Sequence, residues 1–396
     1  MARRIAVPSK HVELKLVGVE NALTVPRIQR LSITADRPST DIDELGNQFH
    51  AGTVEDTPAV TVTFQSMDVG VKLWSVLTGT DWTAYPASGV SISEIKDVDV
   101  IAQIKDDVID DYVKMAHARR CTVRDFSFNY TVDGESTEEY TLIGTQKRWF
   151  KNDVVVERFT AGAGPFALSE TPVALKNGDD AISVIQDGVW LDEVVAGPVA
   201  GEYEITGTSL TVGAATADQM LVVYQAVPAG TNWSYISDTT MPAGIRGTDV
   251  PVLIAANGID RVQSVTLNGA FNPETVKEMG NRDIVGYQIQ VPTVTGTITV
   301  LDTDTELISL FTTGALAPAD TEFQTIELTA AGLYLDITLQ DPSDVVVPYA
   351  VLKTVYVPQL EITSEGFTSN VNANAQQTFD IKSTTGNLIV YSGVRS

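Results

Sequence analysis

The composition of this 396-residue chain describes an acidic globular protein. Apolar residues make up 43% of it, enough for two or three ordinary cores, and no apolar run approaches the roughly 20 residues that cross a bilayer. The formal net charge is −25, and residues 151–396 carry 10 basic residues against 29 acidic ones, which argues against sequence-specific binding of nucleic acid. Cys121 is the only cysteine, so an intramolecular disulfide bond is excluded.

The first element, residues 1–16, is predicted to be an arm. It contains two arginines but no sustained apolar run after them, so we expect neither a signal peptide nor a transit peptide. Insertion into a membrane is not expected.

A segment that follows this arm occurs a second time in the chain, 234 positions later. Residues 27–78 align without a gap with residues 261–312, and 14 of the 52 positions are identical. Most other core-like positions exchange one apolar residue for another. The repeat predicts a pseudo-symmetric protein, which favours assembly over catalysis.

Each copy of the repeat predicts the same strand and helix. Branched apolar residues alternate with hydroxyl residues at 60–64 and again at 294–298, a pattern typical of strands. Asp68 and Asp302 follow these strands and are expected to cap short helices, each of which ends at a glycine.

Before each of these strands lies a long polar stretch, at residues 26–60 and 260–294. A compact domain has little use for such a stretch, so we expect a projecting hairpin that docks on a neighbouring subunit. The clearest shared text is Glu-Leu-Gly-Asn in the first copy and Glu-Met-Gly-Asn in the second. The candidate residues for contacts between subunits are Glu44, Leu45, Gly46, Asn47, Glu278, Met279, Gly280 and Asn281.

Residues 151–240 have no counterpart in the repeat and contain at least four strand candidates separated by turns. The predicted fold class is therefore mainly β. Residues 1–150 and 241–396 are expected to form two β-sandwich or barrel modules, each with a short flanking α-helix. Residues 151–240 are expected to form a small immunoglobulin-like β-sandwich between them.

Two charged clusters allow more than one interpretation. The acids Asp106, Asp107, Asp110 and Asp111 lack the glycine turn and the terminal glutamate of a calcium loop. They fit a solvated acidic face, or the lumen of a channel, better than a cation site. The basic cluster around Arg119 and Arg120 is either the salt-bridged end of a strand or a contact with an acidic patch of an adjacent subunit.

No pattern in the sequence points to catalysis. There is no Ser-His-Asp order, no phosphate-binding glycine loop and no zinc-ligand spacing, and His11, His50 and His117 are far apart in sequence. We therefore expect a protein that is not an enzyme and that uses no cofactor and no metal.

Taken together, the β modules, the arm and the loops with Glu44–Asn47 and Glu278–Asn281 resemble the tail tube proteins of tailed viruses. The resemblance covers residues 1–150 and 241–396. It implies hexameric rings, stacked by the arm and the long loop around a negatively lined channel. The duplication resembles a subset from long, siphovirus-like bacteriophage tails, in which three chains with two modules each form a pseudo-hexamer. In that subset an extra sandwich domain decorates the outside, but here it lies between the modules.

This resemblance also implies a location and partners. We expect a structural protein of the virion tail, made in the host cytoplasm, that forms homotrimeric rings stacked into a tube. The expected partners are other copies of the chain and tail proteins such as the tape measure, terminator and distal tail proteins. Viral DNA passes through during ejection without sequence-specific binding, because acidic walls repel it; Asp106, Asp107, Asp110 and Asp111 are the candidate lumen acids.

Two alternatives remain open at this point. A β-sandwich adhesin or carbohydrate-binding surface protein would use exposed aromatic residues such as Trp82, Tyr85, Trp190 and Trp233. Another tail ring component, such as a distal tail or baseplate protein, would share the fold.

Overall fold

The structure is a computed structural model. It describes residues 12–43, 45, 49–50, 52–67, 70–106, 111–151, 154–162, 164–174, 182–226, 244–280, 284–301, 305–314, 328, 330–344, 350–369 and 374–395. The described residues are mainly β, with two short α-helices, and the predicted fold class is confirmed.

Among its described residues, the first module has eleven strands and one α-helix. They are β1 (Val12–Val17), β2 (Ala22–Thr24), β3 (Ile28–Asp36), β4 (Ser39–Ile42), β5 (Gly52–Glu55), β6 (Ala59–Ser66), α1 (Val71–Thr78), β7 (Val90–Ser91), β8 (Val98–Asp106), β9 (Asp111–Thr131), β10 (Thr137–Gly144) and β11 (Gln146–Phe150).

Among its described residues, the second module also has eleven strands and one α-helix. They are β20 (Val252–Ile254), β21 (Asn257–Gly258), β22 (Val262–Ala270), β23 (Glu274–Val276), β24 (Gly286–Gln288), β25 (Thr293–Val300), α2 (Glu306–Thr313), β26 (Leu335–Gln340), β27 (Val351–Val357), β28 (Leu360–Thr368), β29 (Gln376–Ser383) and β30 (Ile389–Ser392).

Between the modules, eight strands form two four-stranded sheets that enclose their own apolar core. They are β12 (Val154–Gly162), β13 (Phe166–Ala167), β14 (Ile182–Gln186), β15 (Val189–Trp190), β16 (Asp192–Glu193), β17 (Glu202–Thr206), β18 (Ser209–Val212) and β19 (Thr216–Gln225). We call this unit the inserted sandwich.

The two modules share one strand order. The first runs β3, β6, β10, β9, and the second runs β22, β25, β29, β28, with every pairing antiparallel. Strand β9 also pairs with β22, so the two halves form a continuous sheet of eight strands, which ends at β3 and β28. This eight-stranded sheet is open: its strands do not close into a barrel.

A smaller sheet in each module packs on the eight-stranded sheet. The order β2, β1, β8, β9 in the first module recurs as β21, β20, β26, β27 in the second, so the structural repeat begins before residue 27. One apolar core joins both modules, because buried residues of β1, β6, α1, β22, β25 and α2 belong to the same cluster.

The repeat extends to individual hydrogen bonds. Arg27 and Arg261 both have a left-handed backbone, with φ of 52° and 58°. The Gln29 and Gln263 side chains each donate to the carbonyl of the arginine two residues earlier, at 3.1 Å in both cases. The extra residue in each strand forms a bulge at the same position, so the shared Arg-x-Gln text specifies a shared backbone turn.

The helices end as predicted but begin later. Gly79 and Gly314 follow α1 and α2 with φ of 64° and 79°, the left-handed conformation that favours glycine after a helix. The residues at the N-cap positions are Gly70 and Thr305, and neither makes a capping side-chain hydrogen bond. The predicted capping role of Asp68 and Asp302 is therefore wrong, since each helix starts too far along the chain; both acids lie outside the described residues.

Neither helix of the described chain has the length and apolar content of a membrane-spanning helix.

Candidate assembly interfaces

The junction between the modules is an edge-to-edge strand pairing. Strands β9 and β22 pair antiparallel from Thr131 opposite Ser264 to Asp125 opposite Ala270. Phe128 lies opposite Leu267, and both are fully buried. The pairing satisfies the main-chain groups that an isolated edge leaves open, so each module covers one edge of the other.

Close approach at the junction requires a glycine. A Cβ atom on Gly269 would lie 2.2 Å from the ring of Phe126, the residue opposite it in the register. Because no real Cβ comes so close to a ring atom, the bulky Phe126 and the bare backbone of Gly269 form a matched pair.

A buried ion pair crosses the same junction. Lys353 Nζ from β27 lies 2.5 Å from Glu138 Oε1 at the start of β10, and both side chains are fully buried. Tyr140 donates to the other oxygen of Glu138 at 2.7 Å, and Lys353 Nζ lies 4.9 Å from the centre of the Phe128 ring. Burial of two charges is tolerated only with such partners, so this contact fixes one module against the other.

The two ends of the eight-stranded sheet are the counterparts of the junction strands. Strand β3 corresponds to β22, and β28 corresponds to β9. The side chains of β3 and β28 are more exposed than the equivalent side chains of β22 and β9. Phe367 of β28 is 61% exposed, whereas the equivalent Phe128 of β9 is buried. Leu31 and Ile33 of β3 are half-buried, whereas Val265 and Leu267 are buried.

The eight-stranded sheet has an apolar face toward the core and a polar face away from it. Hydroxyl side chains dominate the polar face, including Thr61 and Thr63 of β6 and threonines at 293, 295, 297 and 299 of β25. This alternation follows from the two-residue period of strands. The charged side chains at exposed or partly exposed positions on this face include Asp36, Asp125, Glu139, Asp380, Arg30 and Lys382.

The predicted projecting hairpins form two small sheets of their own. Strand β4 pairs with β5 and β23 pairs with β24, and neither sheet joins the eight-stranded sheet. Each hairpin carries an exposed apolar residue from the shared text, Leu45 at 109% and Met279 at 100% exposure. Glu278 and Gly280 lie beside Met279 and are also exposed. Glu44, Gly46, Asn47 and Asn281 lie outside the described residues.

The second hairpin lies against the first module. The Tyr287 hydroxyl of β24 donates to the Gly144 carbonyl at 2.8 Å, and burial there raises the pKa of Tyr287. Lys277 of the second hairpin lies 2.8 Å from Asp56, close to the end of β5. These contacts show within one chain how a hairpin from one module covers its neighbour.

Two of the four predicted lumen acids lie at facing ends of β8 and β9. Asp106 ends β8 and Asp111 begins β9, and the two are opposite each other in the register. Asp107 and Asp110 lie outside the described residues. These strand ends belong to the small sheet of the first module and not to the polar face of the eight-stranded sheet, and the lumen role of these acids stays a prediction.

The basic cluster holds the inserted sandwich. Arg119 donates to the Ser183 hydroxyl and to the Ile182 carbonyl, both at 3.1 Å, and Arg120 lies 3.1 Å from Asp192. Apolar residues of β1, β8 and β9 pack against β12, β14 and β19 beside these contacts. The two arginines therefore bind the chain's own inserted domain.

A buried acid lies beneath this cluster. Asp99 Oδ2 lies 2.9 Å from His117 Nε2, and its other oxygen accepts the Arg120 amide at 2.9 Å. Burial alone raises the pKa of Asp99, but the charge and hydrogen bond of His117, together with Arg119, outweigh it and hold the pKa below its usual value. Burial raises the pKa of the neighbouring Asp97.

Sequence reasoning missed the residues of the module junction. The Glu138–Lys353 pair joins residues 215 positions apart. Each residue is in phase with buried apolar residues of its own strand, a local signal of burial, but no local pattern indicates that the two pair with each other. Within the described part of the chain, no three His, Cys, Asp or Glu side chains are close enough together to hold a metal ion.

No protein-family model and no curated protein matches this sequence. Solved structures with a distant likeness to this chain include the following two. One is titled "Cryo-EM structure of the anti-feeding prophage cap (AFP tube terminating cap)", and the other "Cryo-EM Structure of an Extracellular Contractile Injection System, PVC sheath-tube complex in extended state". In each case the identity is 13% and the TM-score 0.26, and the match covers 38% of this chain and 95% of the other.

Proposed function

We propose that this protein is a structural component of a virus tail, the repeating subunit of a tube in which three chains supply six modules to each ring. The observation that carries the proposal is the β9:β22 junction. The chain already joins one module edge to the opposite edge of the next, and among the described strands the same two kinds of edge, on β3 and β28, pair with no further strand. A contact that uses opposite edges is head-to-tail, and repeated head-to-tail contacts close into a ring when the rotation allows it.

The polar face of the eight-stranded sheet is the proposed channel wall. A ring built by continued edge pairing has one sheet face inside and one outside. The apolar face is covered by the helices and the small sheets, so the hydroxyl-rich face is the one left for the inside. The described side chains of this face form no apolar patch and no basic stripe, which suits passage of DNA without retention.

The hairpins are the proposed contacts between rings. Leu45 and Met279 are fully exposed apolar side chains that follow the first strand of each hairpin, and such side chains favour burial in a neighbour over contact with water. The inserted sandwich packs on the small sheet of the first module, away from the polar face, and we place it on the outer wall.

Electron microscopy of the purified protein tests this function. We expect rings or tubes with a central hole, and image classification should find three inserted domains around each ring. Dispersed monomers over the full concentration range would contradict the proposal. Glycan-array binding by those monomers would favour a surface adhesin instead.

The adhesin alternative has less support from the described aromatic residues. Trp82 and Tyr85 pack on the main core, and the Tyr85 hydroxyl donates to the Val390 carbonyl at 2.8 Å. Trp190 packs between the inserted sandwich and the first module, under Arg120. These side chains are used within the chain, and Trp233 lies outside the described residues.

A further inference from the structure

We infer that neighbouring copies join through β28 of one copy and β3 of the next, in the register of the internal β9:β22 junction, with Lys114 of the incoming copy docking over Phe367 beside Gln377 and Glu365. The closure of the joined copies into a ring depends on the proposed function. The register and the side-chain contacts are argued from the internal junction alone.

The equivalence of the strands fixes the register. Glu138 lies opposite Phe128 in the β10:β9 pairing, and Gln377 lies opposite Phe367 in the β29:β28 pairing. The bulges coincide as well: β9 skips a residue opposite Thr141 and Leu142, and β28 skips one opposite Asp380 and Ile381. Transfer of the internal pairs then places Ile33 opposite Phe367, Ser32 opposite Thr368 and Ala35 opposite Glu365.

The lysine is also placed by equivalence. Lys353 lies opposite Leu339 in the β27:β26 pairing, and Lys114 lies opposite Ile104 in the β9:β8 pairing of the other module. Lys353 is buried against Phe128 and Glu138 of the adjoining module. Lys114 is exposed in the single chain, where its Nζ lies 4.0 Å from the centre of the Trp149 ring.

The surface that would receive Lys114 has an unfilled acceptor. Gln377 is buried, its Nε2 donates to Glu365 Oε1 at 2.9 Å, and its Oε1 has no hydrogen-bond partner. A buried acceptor without a partner costs about 1–3 kcal/mol. Phe367 beside it is exposed, so the same contact that supplies a donor to Gln377 also covers an aromatic ring.

Charge and bulk change together between the two junctions. Beside the edge strand β28, Gln377 of β29 occupies the position of Glu138 at the internal junction. In the same way, Glu365 of β28 occupies the position of Phe126. One carboxylate is therefore kept next to the lysine. Loss of the bulky ring at this position also removes the need for glycine opposite it, and Ala35 stands where the internal junction has Gly269.

One contact must open for the copies to join. Lys147 Nζ donates to the carbonyl of Ile33 at 2.6 Å, and Ile33 belongs to β3, the strand that would pair with the other copy. Lysine residues at the edges of sheets commonly hinder pairing with another chain. Burial and the nearby Lys114 charge both lower the pKa of Lys147. Docking of Lys114 onto the neighbouring copy separates these two cations and favours the joined state.

Cysteine cross-linking tests the register. Ser32→Cys with Thr368→Cys places the thiols opposite each other on the polar face, and mild oxidation should link copies to one another. The control Thr266→Cys with Asn129→Cys has the same geometry inside one chain, where Thr266 Oγ1 lies 3.4 Å from Asn129 Oδ1. It should give an intramolecular bond and no ladder. Thr34→Cys with Thr368→Cys is shifted by two residues and should link poorly.

The outcomes separate this inference from the proposed function. A ladder that stops at three chains supports both, and a ladder in the stated register that continues past three supports the inference but contradicts the trimeric ring. Rings in the microscope with no cross-link, or with preferential linking of the shifted pair, would overturn the register.

Lys114→Met tests the side-chain contact. Loss of a hydrogen bond from a charged donor should raise the concentration at which half of the protein assembles by roughly tenfold or more. Lys96→Met, which alters an exposed lysine outside both edges, should leave it unchanged. Equal assembly of the two variants would overturn the role of Lys114.

Discussion

Single residues at the module junction carry charges that the fold has to neutralise. Lys353 and Glu138 are fully buried, and their contacts include each other, Tyr140 and the Phe128 ring. The pair holds the two modules in one arrangement but adds little net stability, because the removal of each charge from water costs several kcal/mol.

Lys353→Met should therefore destabilise the chain by about 3–5 kcal/mol, since it leaves Glu138 buried without its counter-charge. Lys353→Met combined with Glu138→Gln should recover most of that loss, because no charge then remains buried. Urea unfolding of the three proteins measures both differences. A single variant as stable as the parent would show that the ion pair does not hold the junction.

Asp99 gives the stability a specific dependence on pH. Its pKa is lowered in the folded chain, so it contributes stability above its unfolded pKa of about 3.9, and that contribution is lost as the pH falls through the folded pKa. The difference in unfolding free energy between the parent and Asp99→Asn should thus shrink below about pH 4. Denaturant titrations at a series of pH values from 7 downward measure this difference in unfolding free energy. A difference that stays constant with pH would contradict the lowered pKa of Asp99.

At the scale of elements, equivalent positions in the two modules have different surroundings. Gly79 and Gly314 end the two helices with the same left-handed backbone. A Cβ on Gly79 would lie 2.2 Å from Val19 Cγ2, whereas one on Gly314 would meet nothing within 4 Å. Substitution of the two glycines therefore distinguishes the free-energy cost of a left-handed backbone from the cost of a steric clash.

Gly314→Ala should cost about 1–2 kcal/mol, the penalty of a left-handed backbone at a residue with a Cβ. Gly79→Ala should cost that amount and roughly 1–3 kcal/mol more, because Val19 has to move. Thermal and chemical unfolding of the two variants provide the comparison. Equal destabilisation would mean that the crowding at Gly79 relaxes without cost.

The strands and the repeat were predictable from sequence because their signals are local. Alternation at 60–64 and 294–298 fixed β6 and β25, and the repeat places them at identical positions 234 residues apart. The helix starts were not predicted, since the N-cap positions are Gly70 and Thr305 and neither makes a capping side-chain hydrogen bond. The β9:β22 junction and its buried ion pair were not predicted either, because they depend on contacts between residues more than 100 positions apart, which no local pattern encodes.

At the scale of the whole molecule, the hairpins and the sheet edges have separable roles. The edges would build a ring and the hairpins would stack rings, so each set of contacts can be removed without the other. The inserted sandwich belongs to neither set, and an exposed residue there serves as a control.

Leu45→Ser combined with Met279→Ser should shorten tubes to single rings, because it removes the exposed apolar side chain of each hairpin. Val195→Ser, at a 98% exposed position of the inserted sandwich, should leave tube length unchanged. Length distributions from negative-stain images give the readout. Tubes of normal length from the hairpin variant would exclude these residues from stacking.

The most direct test is a cryo-electron microscopy reconstruction of the assembled protein. We expect three chains per ring, with the eight-stranded sheets joined through β28 and β3 into one continuous wall, its hydroxyl-rich face inside and the inserted sandwiches outside. A ring of six chains, or a ring in which these two edges stay unpaired, would contradict the proposed assembly.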